Sequence, residues 1–184
     1  MKIFLPSLRL LAALTVLTGL LYPLVVWAAG QALFRRAAEG SLLARGSVIV
    51  GSELLAQKTS DPRYFQPRPS AGDYATVASG ASNLAWTNTK LVAAVAERRA
   101  AWGGGADVPA DLLTASGSGL DPDLSLEAVR IQVRRVAAAR HLTPAQRDAL
   151  DGLIARNTEG GQLSPARLNI LQLNLALDAV FPPK

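Results

Sequence analysis

The chain has 184 residues, with 19 Lys plus Arg, 14 Asp plus Glu, one His and no Cys. Lack of cysteine excludes a disulfide scaffold, a thiolate metal centre and a Cys nucleophile, and one imidazole leaves little with which to ligate zinc or copper. The formal charge of +5 comes from scattered arginines, without a basic tract, an RNP-like aromatic set or finger spacing, so nucleic acid is not an expected partner.

Leu10 to Phe34 is a run of 25 residues without a formal charge, and no acid occurs before Glu39. As a helix it measures roughly 37 Å, enough to cross a hydrocarbon core of about 30 Å with some tilt. Tyr22 and Trp27 fall towards its far end, where amphipathic rings favour the interface. Pro23 is expected to kink it. A cleavable signal peptide is the rival reading, with Lys2 and Arg9 before the apolar stretch and Ala28-Ala29-Gly30 as small residues. Such an apolar region spans only ~7–15 residues, however, so length favours a retained anchor. Lys2 and Arg9 on one side nearly balance Arg35, Arg36 and Arg45 on the other, so charge alone leaves the orientation undecided. Association in lipid relies on close packing, which makes Gly19 and the Pro23 kink the candidate partner contact. The chain thus divides into a flank (1–9), a transmembrane helix (10–34) and one soluble domain (35–184).

Within that domain, Ser47 to Val50 is short and β-branched and reads as a strand. Asp61 to Ala71 holds three prolines in eleven residues and reads as a loop. Its Pro67 and Pro69 bracket Arg68 and limit its freedom, so Tyr64, Phe65 and Arg68 are candidates for partner docking, or else for capping their own domain. Thr87 is expected to cap a helix through about Ala101, with Leu91, Val92 and Val95 on one face. Gly103-Gly104-Gly105 ends it. Asp111 to Thr114 reads as a short strand before a turn at Ser116-Gly117-Ser118-Gly119. Ser125 caps a helix to Arg140, with Val129, Val133, Val136 and Ala137 on its apolar stripe and Gln132 at the stripe's border. Thr143-Pro144-Ala145-Gln146 is a capping-box start for a helix to about Arg156. Ser164-Pro165 is expected to start a last helix, ended by Pro182-Pro183, although alternation of Leu171, Leu173, Leu175 and Leu177 leaves a strand open there. The fold class is a single N-terminal transmembrane α-helix followed by one mixed α/β soluble domain.

Chemistry is sparse. Ser79, Ser116 and Ser118 lack a G-x-S-x-G context, and His141, the only imidazole, follows an arginine-rich helix whose last carbonyls it can cap. Asp121, Asp123, Ser125 and Glu127 alternate like calcium ligands, but Leu126 and Gln132 stand where an EF-hand needs Gly and Glu. Val77 to Asn83 could offer backbone N–H groups to a phosphate, yet lacks the Lys-Ser/Thr ending of a P-loop. Gln132 and Arg135 are neighbours on one helix face. No catalytic or metal residue is assigned.

Tyr64 to Ala71 (YFQPRPSA), Ser79 to Leu84 (SGASNL), Thr114 to Pro122 (TASGSGLDP), Gln132 to Ala137 (QVRRVA) and Leu173 to Asp178 (LNLALD) occur in this order behind one apolar segment. In this the chain resembles the C subunit family of the bacterial Kdp high-affinity potassium-transporting P-type ATPase. Ala81 stands where the family usually has glycine, and Trp86 where it is often smaller or Pro. The resemblance implies a subunit that is not itself the enzyme, in the bacterial cytoplasmic membrane. Its partners would be a potassium-selective channel-like subunit, the P-type subunit that hydrolyses ATP, and a small single-helix subunit. It further implies a role in assembly and as a catalytic chaperone raising ATP affinity, with Gln132, Arg135, Ser79, Gly80, Ser82 and Asn83 as nucleotide-binding candidates. ATP, bound weakly, is the only cofactor expected, and an amino terminus inside with the domain outside is the favoured arrangement. The alternatives are a membrane-anchored nucleotide-binding module and an anchored extracytoplasmic hydrolase.

Overall fold

The computed structural model describes residues 3–105, 107–161 and 164–182; Lys2 and Pro183, used above as flank and terminator, lie outside them. The apolar segment forms one helix, Phe4–Leu33, of 30 residues with none buried, long and apolar enough to cross a membrane. It starts before the charge-free run and carries Arg9 within it. It consists of α1 (Phe4–Val16), a π-helical turn (Leu17–Leu21) and α2 (Tyr22–Leu33). Pro23 has no N–H, and its ring crowds the carbonyl four residues back, that of Gly19. The wider π turn lies where that crowding falls, so the proline sits at the start of α2 and the helix continues past it.

Phe34 breaks the helix (φ −136°, ψ 42°), and a single turn, α3 (Arg35–Ala38), follows. Gly40 (φ 85°) and Ser41 (φ 50°) then turn the chain. The chain falls into two compact units, one ending at Leu42 and one beginning at Leu43.

β1 (Leu42–Arg45) and β2 (Val48–Ser52) form a two-stranded sheet joined through Gly46, which is left-handed at φ 62°. Only the second strand was legible, because Leu-Leu-Ala-Arg carries no β-branched residue. The described residues from Glu53 to Asn88 hold no helix or strand. α4 (Thr89–Ala101) is capped by Asn88, whose side chain accepts from the Lys90 N–H at 2.9 Å, and not by Thr87 as expected. Val92, expected on the packed face, is exposed.

Asp111 to Thr114 is not a strand. Ala110–Leu113 is a single helical turn, α5, because Leu112 and Leu113 are both buried. Adjacent residues of a strand would point to opposite faces. β3 (Asp123–Ser125) runs antiparallel to β4 (Arg167–Asn169), pairing Asp123 with Asn169, Leu124 with Leu168 and Ser125 with Arg167.

Each strand runs directly into a helix: β3 into α6 (Leu126–Ala139), capped by Ser125, and β4 into α8 (Ile170–Val180), capped by Asn169. The last helix therefore starts later than Ser164-Pro165, and Leu173 and Leu177 share its buried face four residues apart. α7 (Pro144–Asn157) carries the expected capping box of Thr143 and Gln146. Leu124, Val129, Val136, Leu150, Leu168, Leu173 and Leu177 are among the fully buried side chains of one core.

Leu168, fully buried in the strand that aligns α6 with α8, is the most sensitive test of this packing. Leu168→Ala is expected to cost about 2–5 kcal/mol in unfolding free energy, measured by chemical denaturation of the detergent-solubilised chain.

Candidate functional site

The proline-rich loop cannot build a hydrogen-bond ladder of its own, since Pro62, Pro67 and Pro69 offer no N–H. Side chains of α6 and α8 supply the missing edge. Phe65 is fully buried; its N–H donates to Asn174 Oδ1 and its carbonyl accepts from Asn174 Nδ2, both at 2.9 Å. At Gln66 the N–H donates to Gln132 Oε1 at 2.7 Å, and Gln132 Nε2 donates to the Gln66 carbonyl at 3.0 Å. Each carboxamide thus grips one residue's donor and acceptor as a neighbouring strand would. Gln132 Nε2 also donates to the Ala128 carbonyl at 3.2 Å, and the residue is 0% exposed, so it lies inside the core and not at its border.

Arginines hold the upstream half of the loop. Arg135 donates from Nη2 to Gln132 Oε1 and from Nη1 to the Pro62 carbonyl, each at 2.7 Å. Arg140, buried, donates to the carbonyls of Arg63 and Phe181 and pairs with Asp178 at 2.6 Å. Its guanidinium also lies over the Tyr64 ring, whose hydroxyl donates to Asp178. Arg45 pairs with the same carboxylate. Arg140 and Asn174 carry as much of this arrangement as Gln132, and sequence reasoning assigned them no role. The one available signal was an Asn within an otherwise leucine-rich helix.

Downstream, Arg68 pairs with Asp121 at 2.7 Å, and the Tyr74 hydroxyl donates to the Arg68 carbonyl. Tyr64, Phe65 and Arg68 are thus each bonded to or buried in their own domain. The turn at Ser79 meets the turn at Ser116 to Gly119: the Gly80 N–H and the Ser79 hydroxyl both donate to the Ser118 carbonyl, at 2.8 and 3.0 Å. Gly119 (φ 68°) allows the approach, since a Cβ there would stand 2.9 Å from the Gly80 carbonyl oxygen. Ser82 and Asn83 are exposed, and Asn83 is left-handed (φ 53°).

The six nucleotide candidates therefore divide. Ser79 borders a cavity of about 450 Å³ with Arg68, Ser116 and Asp121, whereas Arg135 borders another, of about 380 Å³, with Arg98 and Trp102. Gln132 spends its amide on backbone. His141 is exposed and left-handed (φ 55°), closing α6. Among the described residues no cluster of His, Asp or Glu could hold a metal ion.

Charge follows the same geometry. The Arg63 guanidinium and backbone N–H both donate to Asp61 and hold its carboxyl at about 2. Burial pulls Arg135 below the usual guanidinium value, with only Asp61 opposing. Burial likewise raises the Tyr74 phenol, and it raises the Asp123 carboxyl despite the adjacent Arg167.

Residues 4–179 match the family model described as KdpC: K+-transporting ATPase, c chain. Similar proteins named potassium-transporting ATPase KdpC subunit include one from Serratia proteamaculans, 47% identical over 95% of this chain and 97% of its own length. Those from Rhodospirillum rubrum (49%; 96% and 95%) and Sorangium cellulosum (50%; 94% and 95%) are alike.

Removing either carboxamide leaves a loop residue's backbone N–H and C=O unmet together, buried at Phe65 and half-buried at Gln66. Gln132→Ala and Asn174→Ala are each expected to lower unfolding free energy by about 1–3 kcal/mol per orphaned group and to expose the loop, read as faster amide exchange at Phe65 and Gln66.

Proposed function

The chain belongs to the KdpC family, the c chain of K+-transporting ATPases, and from that membership we propose that it is a non-catalytic, membrane-anchored subunit acting in assembly and coupling of the pump. The observation that carries this reading is the use of Gln132: its amide is buried and committed to Gln66 and Ala128, which leaves no free edge to read an adenine. The pairing of Gln132 with Arg135 serves to hold the proline-rich loop in one shape, as a rigid surface for neighbouring subunits. Its partners in this proposal are the potassium-selective channel-like subunit, the ATP-hydrolysing P-type subunit and a small single-helix subunit. The amino terminus is cytoplasmic and the domain extracytoplasmic. Any influence on ATP affinity then passes through the complex, by unequal binding of this subunit to two states of the pump.

Two experiments test it. ATP binding to the detergent-solubilised chain is expected in the millimolar range at tightest, about 4 kcal/mol at 1 mM, by calorimetry. Micromolar binding abolished by Gln132→Ala would instead establish a nucleotide-binding module.

The anchor is tested at Gly19, where an added Cβ meets nothing within 4 Å in the chain itself. Gly19→Leu therefore leaves the subunit's own structure intact, and is expected to release it from the solubilised complex. Unchanged co-purification would remove Gly19 from the contact.

A further inference from the structure

Between α4 and α5 runs an apolar groove of about 700 Å³, lined by Trp86, Leu91, Val92, Val95, Ala110 and Leu113 among others. Leu113 and Val95 connect its floor to the core. Trp86 does not fold down onto that floor: it is 92% exposed, and Val92 is 60% exposed. Single exposed apolar residues are ordinary on a protein surface, but an indole held out beside an apolar groove marks a contact surface.

Charge narrows what can cover it. Residues 74–96 contain no acid and one cation, Lys90. Arg99 is the only charged residue lining the groove, and no carboxylate lines it. The one acid of α4, Glu97, lies about 200° round the helix from Arg99 and so faces away. An apolar floor, a projecting Trp and an arginine match the boundary between acyl chains and phospholipid headgroups, where indoles are favoured and guanidinium groups meet phosphates. A bilayer surface also demands no matching shape, which suits a side chain that projects. We propose that the Trp86 face of α4 docks on the surface of a phospholipid bilayer, as a second membrane contact beside the anchor. The chain carries its own anchor helix, Phe4–Leu33, so a bilayer is always within reach and a weak second contact forms at high effective concentration. This docking rests on the reading of that helix as membrane-spanning, and the two are tested apart.

The chain has no cysteine, so one nitroxide can be placed at one chosen site. The full chain is reconstituted at one copy per nanodisc of phosphatidylethanolamine and phosphatidylglycerol. It is labelled in turn at Thr87→Cys, exposed beside Trp86, at Asp148→Cys, exposed on α7, and at Ala13→Cys in the anchor helix. The measurement is accessibility to oxygen, which collects in lipid, against accessibility to a nickel chelate, which stays in water. The oxygen-to-nickel ratio at Thr87→Cys is expected to exceed that at Asp148→Cys severalfold, and to fall to the Asp148→Cys level when Trp86→Gln is added. Both replaced residues are exposed, so the core is untouched. Equal ratios at Thr87→Cys and Asp148→Cys with a lipid-like Ala13→Cys overturn the docking and keep the anchor; water-like values at all three overturn both. A high ratio that survives Trp86→Gln overturns the assignment to this face. A ratio that rises only in discs holding two copies identifies a second copy as the occupant, and one that changes only when other pump subunits are added identifies a protein partner. Either result overturns the bilayer.

Discussion

Two buried carboxamides hold the domain's longest irregular segment to its helices. Asn174 and Gln132 each pair with both backbone groups of one loop residue, and those residues, Phe65 and Gln66, are consecutive. Prolines at both ends of the loop remove the donors with which a strand could have formed. Without the amides, Phe65 could not enter the core, because its backbone would carry unsatisfied polar groups there. A typical hydrogen bond contributes about 1 kcal/mol net, but leaving a buried group unmet costs more, so the clamp acts mainly by preventing that loss.

The same logic governs Arg140. It is a buried cation whose charge is met by Asp178 and whose remaining donors are spent on the Arg63 and Phe181 carbonyls. Removing one partner of such a pair costs roughly 3–5 kcal/mol, whereas the intact pair adds little to stability by itself. Its contribution is specificity: one arginine fixes the loop, the end of α8 and the Tyr64 ring in a single arrangement. The small β3–β4 sheet makes this possible, because its register sets how α6 and α8 start and therefore where Gln132 and Asn174 stand. A loop held in one arrangement loses little freedom on meeting another subunit, which is what the proposed role in assembly needs.

The anchor obeys a separate constraint. In hydrocarbon every backbone group must be met within the helix, and a proline in mid-span breaks that condition unless the turn before it widens. The π turn at Leu17–Leu21 does so, and it contains Gly19, the residue four before Pro23.

What the sequence by itself determined is local in origin. The apolar run, the Thr143 capping box, the Ser125 cap and the proline-rich loop depend on residues within a turn or two of one another; the last three appear where expected, and the apolar helix appears too but begins at Phe4, six residues early. The two start errors, Asn88 for Thr87 and Asn169 for Ser164, exchange one good N-cap for another nearby. Only the tertiary structure decided what the polar residues do. Gln66 and Gln132 are 66 positions apart, and Phe65 and Asn174 are 109 apart, so no spacing rule could pair them. Gln132 read as a boundary amide because periodicity reports which face a residue occupies, not what lies opposite. The ion pair of Arg68 with Asp121 was equally hidden, because the two lie 53 positions apart. Asp111 to Thr114 read as a strand until burial of both Leu112 and Leu113 required a helical turn. A side chain's partner is chosen by packing, and packing is a property of the whole fold.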